Sequence, residues 1–217
     1  MTIALLDGDI LAYRAAAVRV KDLNWDTGKM EGVADIDPDE AAEAAIQTAQ
    51  SWTRLAGCKK AIVAFTGREN FRKRVLPTYK MNRVGKVKPQ AYSHVVKAVS
   101  ENFETRLVNG LEADDLLGIM LTTLPKYAGA VVVTLDKDLR TIPGLHFHPL
   151  KDSGPVAVDQ EAADRKWLTQ TLTGDTSDGY AGLPKVGPKR AETILGKAEG
   201  IPSMWRNVVS AYRKAGL

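Results

Sequence analysis

The sequence has little of what several classes of site require: its 217 residues include one cysteine, Cys58, and three histidines. A single thiol can form neither an internal disulfide nor a thiolate zinc site. No hydrophobic run approaches the roughly 20 residues that a bilayer-spanning helix needs. The first nine residues have no basic start and already include Asp7 and Asp9, unlike a signal peptide. We therefore expect a cytoplasmic protein with no membrane contact.

Charge is distributed unevenly along the chain. The composition, 44% hydrophobic and 26% charged, suits one or two compact units with a full core. The net charge is only +4, but residues 68–88 carry eight basic residues and one acid, Glu69. A basic segment on a mildly acidic remainder is typical of proteins that bind a polyanion. A solvated basic loop is the alternative.

Strands and helices alternate along most of the chain. Buried strands are predicted at residues 2–6, 60–66, 104–108 and 130–135, weaker strands at 146–149 and 156–158, and a turn at 26–28. Helices are predicted at residues 10–18, 38–56, 89–103, 112–124, 159–172, 189–195 and 202–215. This alternation predicts an α/β fold, with a mostly parallel sheet covered by helices and a helical C-terminal appendage.

Acidic residues recur where predicted strands end or the next helix begins. They are Asp7, Asp9, Glu112, Asp114, Asp115, Asp136, Asp138, Asp175 and Asp178. In open α/β sheets such positions border one ligand crevice. Asp136 and Asp138 are two apart on a segment predicted to be extended, so both side chains point the same way. Glu112 and Asp115 are three apart on a predicted helix and are therefore neighbours.

Carboxylates that converge repel one another, and a cation relieves that repulsion. An all-oxygen set with no nearby cysteine or histidine favours Mg²⁺ or Mn²⁺ over zinc. Two such ions about 4 Å apart can drive phosphodiester hydrolysis. Structural alternatives stay open: acids at a helix start complement its dipole, and residues 136–138 suit a solvated turn. Asp9 is expected to cap the helix that follows it.

Residues 182–195 predict a phosphate-binding hairpin. Gly187 ends a tight turn, and Pro188 stands where a helix would begin. Free backbone N–H groups at a helix start bind phosphate without reading bases. Lys185, Lys189 and Arg190 add positive charge. An ordinary connection between two helices is the alternative.

Five motifs, in order and spacing, resemble the flap endonuclease and 5′→3′ exonuclease superfamily, in particular its short bacteriophage members. They are LDGD at 6–9, LPTYKMNR at 76–83, LEADD at 111–115, TLDKD at 134–138 and the stretch 174–191. The resemblance implies a PIN-like nuclease core over residues 1–158 that includes a basic arch segment, 67–88. It also implies a DNA-binding module of the helix–three-turn–helix (helix–hairpin–helix) type over residues 159–217, with the hairpin at 182–195.

The same resemblance implies roles for individual residues. Asp7, Glu112, Asp114 and Asp115 resemble the ligands of a first metal ion, and Asp136, Asp138, Asp175 and Asp178 those of a second. Lys80 and Arg83 resemble a basic pair that contacts the scissile phosphate. The residues expected to hold DNA are Arg72, Lys73 and Lys86 in the arch segment and Lys185, Gly187, Lys189 and Arg190 in the hairpin, which resembles a turn that often binds K⁺.

One expected ligand is missing. The family usually has an aspartate just after the second strand of the core, where this chain has Gly67. The first group is therefore one carboxylate short unless Glu69 or Asp9 supplies it.

The implied activity is metal-dependent hydrolysis of DNA near a 5′ end by a two-metal mechanism, as an exonuclease, a flap endonuclease or both. The expected substrate is duplex with a free 5′ end, flap or gap, and cutting of RNA–DNA hybrids stays open. We expect a monomer of phage or bacterial origin. The rival interpretations are a non-catalytic binder of branched DNA, disfavoured by the retained acids Asp136, Asp138, Asp175 and Asp178, and a PIN-type ribonuclease, disfavoured by the hairpin.

Overall fold

A computed structural model describes residues 2–24 and 29–217, with side chains for all of these except residues 20–34. The strands are β1 (Ile3–Asp7), β2 (Arg19–Asn24), β3 (Lys29–Asp35), β4 (Lys60–Thr66), β5 (Glu104–Val108), β6 (Val131–Val133), β7 (Gly144–Phe147), β8 (Val156–Val158), β9 (Gly174–Asp175) and β10 (Tyr180–Ala181). The helices are α1 (Gly8–Ala16), α2 (Pro38–Leu55), α3 (Arg72–Val75), α4 (Tyr92–Asn102), α5 (Ala113–Thr123), α6 (Gln160–Thr173), α7 (Pro188–Leu195) and α8 (Ile201–Lys214). Short 3-10 helices lie at Met81–Arg83, Pro125–Tyr127 and Lys137–Thr141.

The main sheet has six strands in the order β5-β4-β1-β6-β7-β8. All neighbouring pairs are parallel except β7 and β8, which are antiparallel. The predicted mostly parallel sheet is therefore confirmed. Because parallel strands end at the same edge, the acids that follow β1 and β6 and the loops that follow β4 and β5 meet there.

Alternation along β1 divides the core between the two faces of the sheet. Ala4 and Leu6 point into a cluster with residues of α1, α2 and α4, where Trp52 is the largest side chain. Leu5 points to the opposite face and packs among residues of α5, including Leu117. Helices thus cover both faces, which explains why β1, β4 and β6 consist almost wholly of apolar residues.

The C-terminal helices share a hydrophobic cluster of their own. Leu168 and Leu172 of α6, Leu195 of α7 and Met204 of α8 are fully buried in it. α6 begins at Gln160 after Asp159, whose side chain caps it. The division into units at residues 158 and 159 stays a prediction, as does the helix–hairpin–helix type of the second unit.

Most predicted elements are confirmed, with two local differences. α1 begins at Gly8 rather than at residue 10, because the side chain of Asp7 accepts the Ile10 N–H and caps the helix. β6 covers only 131–133, and residues 136–138 are not extended, because Asp136 caps a 3-10 helix. β2 and β3 form an antiparallel pair, and the turn predicted at 26–28 lies outside the described residues. None of the helices in residues 2–24 and 29–217 has the length and apolarity that a membrane span requires.

Candidate active site

Asp7 lies at the carboxyl end of the central strand and is 2% exposed. Its carboxylate accepts hydrogen bonds from the Ile10 N–H at 3.1 Å and from the Thr134 hydroxyl at 2.9 Å. Burial nevertheless raises the pKa of Asp7 to about 6, and the charges of Asp9 and Asp136 add to the effect. Thr134, the first residue of the TLDKD motif, for which the sequence indicated no role of its own, thus links Asp7 to the end of β6.

The expectation that Asp9 caps α1 is wrong, because Asp7 takes that position. Asp9 lies in the first turn instead, where its carboxylate accepts hydrogen bonds from the Tyr92 hydroxyl at 3.0 Å and the Thr66 N–H at 3.4 Å. Asp9 therefore holds α1 against α4 and against the end of β4.

Asp114, in the first turn of α5, shows that the acids of different elements converge. Burial, followed by the charges of Asp7, Asp136 and Glu112, raises its pKa to about 8, and only Lys80 acts in the opposite direction. Contributions from three separate elements mean that the four carboxyl groups face one region at the sheet edge. We call Asp7, Glu112, Asp114 and Asp136 the inner carboxylates.

Glu112 receives hydrogen bonds from three side chains of the arch segment. The Asn70 amide donates to it at 2.5 Å, the Tyr79 hydroxyl at 2.9 Å, and the Lys80 ammonium group at 2.9 and 3.0 Å to its two oxygens. The sequence identified Lys80 but not Asn70 or Tyr79. The available signal was their position: Tyr79 directly precedes Lys80 in the second motif, and Asn70 lies three residues after Gly67.

Asp115 and Arg72 pair with each other, which changes the expectation for both. The Arg72 guanidinium donates to both oxygens of Asp115 at 2.7 Å, and the Glu112 N–H donates to one of them at 2.9 Å. Partial burial raises the pKa of Asp115, but these hydrogen bonds outweigh burial and hold that pKa below its usual range. Asp115 thus closes a capping box at the start of α5, and Arg72 is committed to it.

Asp136 and Asp138 follow β6. Contrary to the extended segment predicted from the sequence, the Asp138 N–H donates to the Asp136 carboxylate at 2.7 Å, so the first aspartate caps the 3-10 helix. This brings the two residues close together but commits one oxygen of Asp136 to the backbone. Lys166 of α6 lies 3.4 Å from Asp138.

Asp175 is the last residue of β9, and Asp178 lies on the loop between β9 and β10. Asp175 accepts hydrogen bonds from the backbone and hydroxyl of Ser177 at 2.7 and 2.6 Å. Although partial burial opposes the effect, these bonds lower the pKa of Asp175. Asp178 lies 3.6 Å from the Lys80 ammonium group and 3.4 Å from the Arg83 guanidinium. We call Asp138, Asp175 and Asp178 the outer carboxylates.

The arch segment joins the two groups of acids. Tyr79 is buried and donates to Glu112 at 2.9 Å, and its hydroxyl lies 3.2 Å from Asp178. The Lys80 N–H donates to the Asp178 carbonyl at 2.9 Å, and Lys80 adopts a left-handed backbone conformation, with φ of 53°. Lys80 and Arg83 therefore lie beside carboxylates, and their contact with a scissile phosphate stays a prediction.

Gly67 occupies a position with no room for a side chain. A Cβ atom there would lie 2.1 Å from the Val108 carbonyl oxygen, and the Gly67 N–H donates to the Leu111 carbonyl. Glu69 is exposed, and Asp9 is held by Thr66 and Tyr92. The residue of this loop that reaches an inner carboxylate is Asn70, a neutral donor rather than a negative ligand.

The donor set suits a hard divalent cation by its chemistry. The inner and outer groups offer carboxylate oxygens only, and the raised pKa values of Asp7 and Asp114 show negative charge that a cation would relieve. Within the part of the chain that the structure describes, however, no three acidic, histidine or cysteine side chains are already arranged as a metal cage. Lys80, Arg83 and Lys166 form ion pairs with these carboxylates.

The predicted hairpin has the local geometry expected of it. Gly187 is the N-cap of α7 without a side-chain hydrogen bond, and Pro188 begins the helix. Lys185 adopts a left-handed conformation with φ of 62° in the preceding turn. Lys185, Lys189 and Arg190 are exposed, as are Lys73 and Lys86 of the arch segment. These side chains are therefore accessible to a large anionic partner.

Comparisons with known proteins agree with this geometry. This chain is 29% identical over 188 residues to the exodeoxyribonuclease of enterobacteria phage T3. It is also 29% identical over 187 residues to the exonuclease of Escherichia phage T7. These alignments cover 84% and 83% of this chain but only 62% of each relative. Crystal structures of the D15 protein of phage T5, one with metal ions and one with DNA and metal ions, superpose with TM-scores of 0.67 and 0.66 at 17% identity. Each superposition covers 99% of this chain and 88% of the D15 chain, and this similarity establishes the fold.

A family assignment covers most of the core. Residues 2–168 match the family described as "5'-3' exonuclease, N-terminal resolvase-like domain". The match includes β1 to β8, the arch segment and all four inner carboxylates. The chain therefore belongs to the 5'-3' exonuclease family.

Proposed function

We propose that the protein hydrolyses DNA phosphodiester bonds near a 5′ end with the help of two divalent cations, Mg²⁺ or Mn²⁺. One observation carries the proposal: burial, together with the charges of neighbouring acids, raises the pKa of Asp7 to about 6 and that of Asp114 to about 8. A protein keeps such a destabilising arrangement where it serves function. The family assignment and the phage relatives named as exonucleases agree with a nuclease.

The inner carboxylates Asp7, Glu112, Asp114 and Asp136 would hold one ion, and the outer carboxylates Asp138, Asp175 and Asp178 would hold the other. Asp115 is left out, because both of its oxygens are engaged by Arg72 and by the backbone. When bound, the ions would supply a hydroxide nucleophile and neutralise charge on the leaving oxygen.

Lys80 and Arg83 have the second role in this proposal. Lys80 lies between the inner acid Glu112 and the outer acid Asp178 and is only 19% exposed, whereas Arg83 lies beside Asp178. A scissile phosphate at the sheet edge would take over these cations from Glu112 and Asp178. Lys80 and Arg83 would then stabilise the negative charge that grows on the phosphate in the transition state.

The hairpin and the arch segment would hold the substrate by its backbone. Lys185, Lys189 and Arg190 surround the free start of α7, and Lys73 and Lys86 are exposed in the arch segment. Contacts of this kind are indifferent to sequence and sensitive to salt. Arg72 would act indirectly, by fixing the start of α5. We also propose a K⁺ ion at the hairpin turn, as the family resemblance implies.

Relatives and structural neighbours include both exonucleases and a flap endonuclease, so we propose that the chain acts on duplexes with a free 5′ end, on flaps or on gaps, as a monomer. The test uses end-labelled duplex, flap and RNA–DNA hybrid substrates, each with Mg²⁺ and with EDTA. We expect cleavage from the 5′ side only with Mg²⁺. Cleavage that persists in EDTA would exclude the proposed mechanism. Tight binding to flaps without cleavage at any Mg²⁺ concentration would instead support a non-catalytic binder.

A further inference from the structure

The loop that joins β9 to β10, residues 176–179, carries one outer carboxylate and directly follows another. We call it the outer loop. Asp178 lies on it, and Asp175 is the residue before it. Two carboxylates that hold one ion must keep a fixed position relative to each other, and a surface loop does not provide this by regular secondary structure. The contacts that shape the outer loop therefore bear on the outer carboxylates.

Asp175 holds the outer loop from one side. Its Oδ1 atom accepts hydrogen bonds from the Ser177 N–H at 2.7 Å, the Ser177 hydroxyl at 2.6 Å and the Asp178 N–H at 3.2 Å. In a trans peptide unit the C=O group points away from the N–H group. The carbonyls of Thr176 and Ser177 belong to the same peptide units as these two N–H groups, so they point away from Asp175.

Asn82 of the arch segment contacts those two carbonyls from the opposite side. Its amide nitrogen donates to the Thr176 carbonyl at 3.0 Å and to the Ser177 carbonyl at 3.3 Å. An amide NH₂ group has two hydrogen atoms, so both bonds form at once. The two peptide units between Asp175 and Asp178 are thus held on one side by Asp175 and on the other side by Asn82.

The backbones of the arch segment and the outer loop also touch at this place. The Lys80 N–H donates to the Asp178 carbonyl at 2.9 Å. Gly179 has a φ of 78°, and a Cβ atom there would lie 3.1 Å from the Thr78 carbonyl oxygen. The two segments are therefore docked directly on each other, and Asn82 supplies side-chain hydrogen bonds to this contact across more than 90 residues of chain.

We propose that Asn82 is a positioning residue that fixes the arrangement of the outer carboxylates for a divalent cation, an inference that rests on the proposed two-metal function. Asn82 acts through the peptide units between Asp175 and Asp178 and does not hold the ion itself. Ligands that are already ordered bind a cation more tightly, because less conformational freedom is lost on binding. The affinity of the outer carboxylates therefore depends on the arch segment that also carries Lys80 and Arg83.

The test measures Mn²⁺ binding to the full chain by isothermal titration calorimetry, without DNA and therefore without cleavage. Asn82→Ala is compared with Asn102→Ala, which removes another exposed amide, at the end of α4, whose hydrogen bond to the Ala98 carbonyl stays within its own helix. Asp175→Asn identifies the outer ion, because it keeps the shape of the side chain and removes its charge. Thermal unfolding in EDTA checks the stability of each variant.

We expect the wild type to bind two Mn²⁺ ions and Asp175→Asn to lose or weaken one of them. Asn82→Ala should weaken the same ion about tenfold, as expected for the loss of two neutral hydrogen bonds, and leave the other ion unchanged. Asn102→Ala should bind both ions normally. When Asp175→Asn is already present, Asn82→Ala should cause no further change, because no charged outer group is left for it to position.

Equal Mn²⁺ affinities in Asn82→Ala and Asn102→Ala would overturn the positioning role. So would an equal weakening of both ions together with a lower Tm in EDTA, since that result indicates a general loss of structure. Failure of the proposed function gives a different result: a wild type that binds no Mn²⁺, or two ions that do not respond to Asp175→Asn, would contradict the two-metal proposal itself and the inference with it.

Discussion

The inner and outer carboxylates contain the same kind of residue in opposite electrostatic conditions. Asp114 is packed at the start of a buried helix beside other acids, and its pKa is raised to about 8. Asp175 ends β9, and although partial burial acts in the opposite direction, the N–H and hydroxyl groups of the following loop donate to it and lower its pKa. Negative charge is thus unfavourable at Asp114 and favourable at Asp175. We infer that the inner group depends more strongly on a cation.

Asp115 shows that burial alone does not create this difference. It is one residue away from Asp114 on the same helix turn, yet its pKa is lowered because Arg72 and the Glu112 N–H contact its oxygens. Asp115 differs from Asp114 in having donors at both oxygens and in being less deeply buried. The inner carboxylates were left with few donors of their own, apart from those that the arch segment brings.

The largest effect is expected from Asp114→Asn. This change preserves shape but removes a charge that a bound cation needs, so cleavage under single-turnover conditions should fall by at least about a thousandfold. Glu161→Gln, an exposed acid of α6, is the control and should cleave normally. DNA binding should be unaffected in both variants. Retention of activity in Asp114→Asn would place the chemistry elsewhere.

Lys80→Ala tests the cation that joins the two groups. Because its ammonium group contacts Glu112 and lies near Asp178, its loss should lower the single-turnover rate on saturating DNA by about a hundredfold. Lys86→Ala, in the exposed part of the same segment, should weaken binding and leave that rate unchanged. If Lys80→Ala also changed only the affinity, Lys80 would be a positioning contact.

The hairpin should affect affinity rather than rate. Lys189→Ala combined with Arg190→Ala removes two exposed cations at the start of α7, so the slope of log affinity against log salt should decrease by about one to two units for any DNA sequence. The control is Arg213→Ala with Lys214→Ala at the end of α8. An equal change in that control would show that only net charge matters.

The smallest expected effect is on stability. Because the folded-state pKa of Asp114 is about 8 and its ordinary value is 3.8, its protonated form stabilises the fold at low pH, and that contribution is lost as pH rises from about 4 through about 8. Without metal, Asp114→Asn should match the wild type at pH 4 and exceed it above pH 8. A gain of about 1 kcal/mol corresponds to roughly 2–4 °C in Tm. Mg²⁺ should reverse the order by stabilising only the wild type.

Much of the fold was predictable because its signals are local. The apolar run of β4 and the N-cap at Asp37 specify their elements with residues that are close in sequence. Asp136 to Asp138 was predicted incorrectly as extended, because an aspartate that caps a 3-10 helix has the same composition as one at the end of a strand. The β-branched run before it decided the prediction.

The candidate site was predictable in its acids but not in their partners. Asp7, Glu112, Asp114 and Asp136 stand out because acids recur along the chain where strands end or the next helix begins. Asn70 and Tyr79 do not, because amide and phenol groups are common on any surface. Their contacts with Glu112 span 42 and 33 residues of chain. Gly67 was noticed for the side chain that it lacks, which suggested a missing metal ligand. The structure shows in addition that the backbone of Val108 is too close to leave room for a side chain there.

By itself, the sequence determined the alternation of strands and helices, the order of the acids and the placement of positive charge at residues 68–88, because these depend on residue type and local spacing. Only the tertiary structure decided which acids lack donors, that Arg72 neutralises Asp115, and that Lys80 joins the inner group to the outer group. The physical reason is that the free energy of a buried charge depends on the groups within a few ångströms of it, and the sheet and arch segment bring these groups together from distant parts of the chain.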